Sequence, residues 1–315
     1  MKKKLKNLFF HSALAIILLH SINVLVNFIA TIRELLPLKS GNYYDWRFGK
    51  LYYEKQGSGN PLLLIHELNA GGSSQEWNNV VKELSKDHTV YTIDLLGCGR
   101  SEKPKLTYTN FLYVQLLSDF IKNVIGHKTD VMVSGSSSQL VLMACHYSDT
   151  LFNRIVLVNP DNLKQLNKIP SKKTKTLKFL LEVPIIGTTI YHILTGKYNF
   201  DHEFMEHYFY NPFKVDDNYI HAHYEAAHLD HASGKYLYAS LIGGYLNANI
   251  LPALKAINQS IYIIGGDKEP HISDTIYGYQ EWNPSIEAAT IEKSKHFPHM
   301  EMPDEFLDTV SFYLS

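Results

Sequence analysis

Two stretches of this chain carry residue types that could do chemistry. The first is Val131-Met132-Val133-Ser134-Gly135-Ser136-Ser137-Ser138-Gln139, where an apolar strand pattern runs into small residues and then a helix. A strand that turns sharply into a helix lifts a serine out of a sheet, and the strain of the turn demands small residues two positions either side of it. Ser137 has Gly135 on one side and Gln139 on the other; Ser136 lies between Ser134 and Ser138. Position relative to the strand favours Ser137, with Ser136 as the alternate. The second stretch is rich in histidine: His202, His207, His221, His223, His228 and His231, with Glu203, Glu206, Glu225 and Asp230 among them. His221, Glu225 and His228 share a helix face and could ligate a transition metal. No second ligand helix is fixed opposite, so a polar, solvated face is the expectation. Two other motifs fail. His66-Glu67 opens the zinc pattern H-E-x-x-H, but position 70 is Ala70, and Gly97-x-Gly99 has Glu102 where a dinucleotide fingerprint needs a third glycine.

Positioning such residues takes a sheet. The segments 51–54, 62–65, 89–93, 131–133, 155–158 and 261–264 read as short apolar strands, and 77–84, 111–125 and 139–145 carry helical periodicity. Their alternation argues an α/β fold with a mostly parallel sheet covered on both faces. Between Pro160 and Pro252 the alternation stops, which predicts a helical lid. The chain divides into a basic segment and anchor over 1–36, a core over 37–160, a lid over 161–252 and the rest of the core over 253–315.

With 30 Lys and Arg against 31 Asp and Glu, the chain has no net field to draw in nucleic acid. Cys98 and Cys145 are too few for a disulfide framework and read as buried thiols. Lys2, Lys3, Lys4 and Lys6 precede an uncharged run, Asn7 to Ile32, long enough to span a bilayer. The basic start puts the N-terminus in the cytoplasm and the remainder on the far side. A cleaved signal, with secretion of the rest, is the second reading and an interfacial helix the third. His20, Asn23, Asn27 and Thr31 line one face of that helix, a stripe suited to packing on another helix.

From about Tyr44 onward the chain resembles the α/β-hydrolase superfamily. Leu62-Leu63-Leu64-Ile65-His66-Glu67-Leu68 is similar to the family's strand and His-Gly segment, and Asp94-Leu95-Leu96-Gly97-Cys98-Gly99-Arg100-Ser101 to its structural D-x-x-G-x-G-x-S turn. Gly265-Gly266-Asp267-Lys268-Glu269-Pro270 resembles the loop that bears the triad acid, and His296-Phe297-Pro298-His299-Met300-Glu301-Met302-Pro303 the loop that bears the histidine. The resemblance implies a Ser137–His296–Glu269 triad, with Asp267 and Asp161 as alternate acids and the N–H groups of Leu68 and Ser138 as the oxyanion hole. Nucleophile, acid and histidine stand in the order this fold uses. Glu67 in place of the glycine, and Gln139 in place of the last elbow glycine, depart from the pattern.

The implied reaction is hydrolysis of a small-molecule carboxylic ester, or less readily an amide or thioester, through an acyl-serine, with no cofactor. A non-catalytic binding domain is the alternative, supported by Glu67 and Gln139, as is a lyase or perhydrolase on the same fold. Epoxide hydrolases and dehalogenases of the family use an aspartate at the elbow, against which the serines argue.

Overall fold

The computed structural model describes residues 2–38 and 41–314; the expected boundaries also take in 1, 39, 40 and 315, which lie outside the described residues. Helix α1 (Lys2–Thr31) comes first and is long and apolar enough to cross a membrane. The core follows as β1 (Asn42–Trp46), β2 (Gly49–Gln56), β3 (Asn60–Ile65), α2 (Asn78–Leu84), β4 (His88–Ile93), α3 (Asn110–Phe120), β5 (Thr129–Ser134), α4 (Ser138–Tyr147) and β6 (Phe152–Val158). Seven α-helices come next among the described residues: α5 (Leu163–Leu166), α6 (Lys172–Glu182), α7 (Ile186–Leu194), α8 (Lys197–His202), α9 (Asp217–Ala232), α10 (Lys235–Ile242) and α11 (Leu251–Ala256). The core closes with β7 (Ser260–Gly266), α12 (Ile272–Trp282), β8 (Glu287–Ile291), α13 (Pro298–Glu301) and α14 (Pro303–Leu314).

The eight strands form one sheet in the order β1-β2-β4-β3-β5-β6-β7-β8, parallel from β4 to β8 and antiparallel where β2 meets β1 and β4. Period-two alternation feeds two cores. Leu63, Ile65, Val131, Val133, Ile155 and Leu157 face one helix layer, and Leu62, Leu64, Met132, Val156 and Val158 face the other. Strands β1 and β8 escape the sequence pattern because they are edge strands, and Glu287-Ala288-Ala289-Thr290-Ile291 has little apolar signal to read. Both cysteines are free and buried.

The parallel strands end together, so the loops after β3, β5, β6, β7 and β8 meet at one edge. The helical insertion between β6 and β7 builds its own core from Leu181, Tyr191, Phe200, Phe204, Phe209 and Ile220, and Ala70, Phe297 and Met300 join it there. Helix α1 packs against α7 and α9. Of the expected polar stripe, Asn23 is buried and His20 exposed. Asn23 Nδ2 donates to Ile185 O at 3.0 Å, and its Oδ1 accepts from Thr189 Oγ1 at 3.0 Å.

One face of the insertion corrects an expectation: His202, His207 and His231 are exposed, but on the face of His221, Glu225 and His228 the first is half-buried and the other two are buried, so it is not a solvated face. His223 and His228 are buried, and His228 stacks on His192 with ring centroids 4.9 Å apart and planes 7° from parallel. Glu225, the middle residue of the face, accepts instead from the N–H groups of Leu35 and Leu36 at 2.9 and 3.0 Å, fastening the chain where it leaves α1. Among the described residues no group of three or more His, Cys, Asp or Glu is arranged to hold a metal ion.

Candidate active site

The turn after β5 decides which residue stands at its tip. Ser134 ends the strand, and Gly135 takes φ +51°, a left-handed conformation that a residue with a Cβ adopts only at a cost. Gly135 therefore occupies the apex of the elbow, with neither Ser136 nor Ser137 there. A Cβ built on Gly135 would lie 2.5 Å from Glu67 Oε1, so the Glu67 carboxylate fills the space into which an apical side chain would point.

His296 meets that carboxylate. Its Nε2 lies 3.3 Å from Glu67 Oε2 and its Nδ1 3.4 Å from Glu269 Oε1, so one imidazole is held between two acids. Burial alone would lower the His296 pKa, but Glu67 above all, and Glu269, raise it well above the usual histidine value. Burial pushes the Glu67 carboxyl up, yet His296, Asn69 and the Ser136 N–H together hold it below its ordinary value. The charged forms of Glu67 and His296 thus favour one another, with Glu269 on the other ring nitrogen.

The serine hydroxyls lie apart from the histidine. Ser137 is fully buried and its Oγ donates to His66 O at 2.7 Å, which turns it back into the loop after β3. Ser136 is half-buried and donates to Leu68 O at 3.2 Å. Neither hydroxyl is joined to His296, whose two nitrogens are taken by Glu67 and Glu269. Of the expected oxyanion donors, Ser138 N–H is spent on Gly135 O inside the first turn of the helix, while Leu68 stands beside the elbow. The N–H that reaches the site is that of Ser136, directed at Glu67. Of the alternate acids, Asp267 turns to Lys268 Nζ at 2.7 Å. Asp161 lies near enough to feel Glu67, His296 and Glu269, and burial first, then Glu67, raise its pKa to about 6.

Sequence reasoning missed Glu67 and Gly135 as site residues, though both signals were present. In a run of small residues directly after a strand, only the glycine tolerates positive φ, and a glutamate had replaced a glycine on the facing loop.

The surrounding shell explains why these residues stay in place. His66 Nε2 accepts from Leu95 N at 3.0 Å, so its Nδ1 carries the proton and donates to Glu67 O at 2.7 Å. Glu76 accepts the Glu67 N–H at 2.9 Å. Asn159 Nδ2 donates to the carbonyls of Lys295 and His296 at 2.8 and 2.7 Å. Glu301 accepts from the N–H groups of Lys295, Tyr210 and Asn211 at 3.1, 3.0 and 2.7 Å, and the Tyr208 ring stacks on His296. Asp94 is structural: it accepts from Ser74 N and Arg100 N at 2.7 Å each, and Arg100 holds its pKa down to about 2 against burial.

A parallel sheet with an insertion after β6, and a histidine paired to an acid on the loops after β8 and β7, define a hydrolase architecture. The chain belongs to the α/β hydrolase family, whose model matches residues 62–309. Among curated relatives it is 33% identical over 126 residues to the 2-hydroxy-6-oxo-6-(2'-aminophenyl)hexa-2,4-dienoic acid hydrolase of Metapseudomonas resinovorans, a match that covers 34% of this chain and 43% of that one. Thus the match spans under half the length of that relative. Among solved structures it superposes on a serine hydrolase involved in carbazole degradation with a TM-score of 0.72 and 21% identity, over 87% of this chain and 98% of the other. It also superposes on a bacterial membrane phospholipase A with a TM-score of 0.69 and 18% identity, over 100% of this chain and 98% of the other.

Proposed function

We propose that this chain is a hydrolase of small molecules in which the Glu67 carboxylate takes the place of a nucleophilic serine, worked by His296 and Glu269. The contact between Glu67 Oε2 and His296 Nε2, 3.3 Å, beside an apical glycine, carries the reading. Glu67 attacks an electrophilic carbon, and the leaving oxygen departs with the bonding pair and takes the proton of the His296 imidazolium, which leaves His296 neutral and the substrate joined to Glu67 as an ester (from an epoxide carbon) or an anhydride (from an ester carbonyl). Water then adds to the Glu67 carbonyl as His296, in its neutral form, takes a water proton; Glu269 supports the imidazolium that results. Collapse frees the product and restores the carboxylate. The Ser136 N–H, already directed at this carboxylate, stabilises the oxyanion of that step. A carboxylate of lowered pKa is a weak nucleophile, so the reading favours substrates with strained or good leaving groups, such as epoxides and activated esters.

Single-turnover hydrolysis in ¹⁸O-water tests it, across aryl esters, alkyl esters and terminal epoxides. Label should enter the Glu67 side chain, and Glu67→Gln should lose turnover. Label confined to product would sink the carboxylate route.

A second reading, ester cleavage through an acyl-serine, rests on Ser136, whose half-buried hydroxyl is one residue past the apex. It requires a fluorophosphonate label that Ser136→Ala abolishes. On either reading the insertion serves as a lid, and α1 anchors the chain in a membrane with its lysines on the cytoplasmic side and the site on the other. The superposition on a membrane phospholipase A over the whole chain, α1 included, supports that placement.

A further inference from the structure

Helix α1 does not leave the insertion behind when it enters the apolar part of its sequence. The hydrocarbon core of a bilayer takes about 20 helical residues, and any such window within the uncharged run Asn7–Ile32 includes Asn23. If the span ends as early as Val26, Asn23 still lies about 4.5 Å inside the core, at 1.5 Å per residue. Asn23 is hydrogen-bonded through both side-chain atoms to Ile185 and Thr189, at the corner where α6 meets α7. That corner is therefore carried to the depth of the hydrocarbon.

Its surface suits the place. The two helices turn through 106° at Val183-Pro184-Ile185, and their outer sides expose Phe179 and Leu180 before the turn and Ile186 and Ile193 after it. Phe179 and Ile193 are 66% and 68% exposed. Clusters of exposed apolar side chains of this kind mark an interaction surface. At the end of α6 away from the corner, Lys172, Lys173 and Lys175 are exposed, at the level where anionic headgroups would meet them.

We infer that the α6–α7 corner of the insertion is a bilayer-docking surface, its apolar tip seated among acyl chains beside α1 and its lysines among anionic headgroups. The inference rests on the proposed membrane placement of α1. Depth measurements test both. Cys98 and Cys145 are buried, so single cysteines introduced in the full chain can carry an environment-sensitive fluorophore. The sites are Leu14→Cys on α1, Ile186→Cys and Ile193→Cys at the corner, and Tyr147→Cys, exposed at the end of α4 remote from the elbow. The protein is reconstituted in a phosphatidylcholine–phosphatidylglycerol bilayer containing nitroxide-labelled lipid. Blue-shifted, nitroxide-quenched emission at 14, 186 and 193, with 147 unchanged, is the expected result. Quenching at 14 alone overturns the docking surface and leaves the anchor; no quenching at 14, 186 or 193 overturns both.

Discussion

The side chain that separates this site from a serine triad is Glu67, and its removal is the sharpest intervention at the scale of a residue. Glu67→Gln takes away the charge that chiefly raises the His296 pKa, so the imidazole titration followed by NMR should move down. In the native protein the raised pKa leaves His296 protonated at neutral pH. The water-activating step should therefore quicken as pH rises through that pKa, and single-turnover product release should show one alkaline-shifted ionisation. The stability linkage has the matching sign: what the His296 ion pairs contribute is present below the unfolded value and lost as pH rises through the folded one. A double variant, Gly135→Ser with Glu67→Gly, puts a hydroxyl at the apex and clears its space. In a Ser136→Ala background it should gain fluorophosphonate labelling at position 135, despite a backbone strain of about 1–3 kcal/mol at positive φ; absence of labelling in the folded variant would contradict the placement of the apex. The loops that carry Glu269 and His296 could be located in the sequence, the first because it follows the apolar strand Ile261–Ile264 and the second from its own H-x-x-x-x-E-x-P pattern. The apex of the elbow could not, because consecutive serines present equal local chemistry and only the backbone angle at Gly135 distinguishes it.

Among elements, the loop after β8 and the segment leading into α9 are tied by one carboxylate. Glu301 satisfies N–H groups of Lys295, Tyr210 and Asn211, and Glu301→Ala would leave all three without it. These bonds are only part-buried and water can replace them in part, so at about 0.5–1.5 kcal/mol each thermal unfolding of the variant should move down by a few degrees. Turnover should fall more than substrate affinity, because the His296 loop loses its fixed position. The parallel strands were readable from runs such as Leu62–Ile65 and Ile261–Ile264, whose burial on both faces makes them continuous apolar blocks. The arrangement of the insertion was not, since its helices pack on one another and on α1 through contacts distant in sequence, and Glu225 reads as a metal ligand until the backbone it caps is seen.

For the whole molecule, the acid limb of stability has an identifiable source. His192 and His228 stack where α7 and α9 meet, and burial lowers the pKa of each to about 4. A depressed imidazole pKa means that the unfolded chain binds protons first. Their contribution is thus intact above about 6.5 and lost as pH falls toward 4. The thermal midpoint of the full chain should fall across that window, and His192→Phe should flatten the fall; an unchanged slope would remove the pair as its cause.

The bond between Asn23 and Ile185 also joins residues made at different times. Asn23 leaves the ribosome 162 residues before its partner. At ordinary elongation rates, about 5–20 residues per second, the interval is on the order of ten to thirty seconds. During that time the Asn23 amide is without the carbonyl that later receives it. On the proposed placement of α1, biogenesis would include a late assembly step within a single chain, in which a helix already delivered to the bilayer acquires its docking partner from the middle of the sequence.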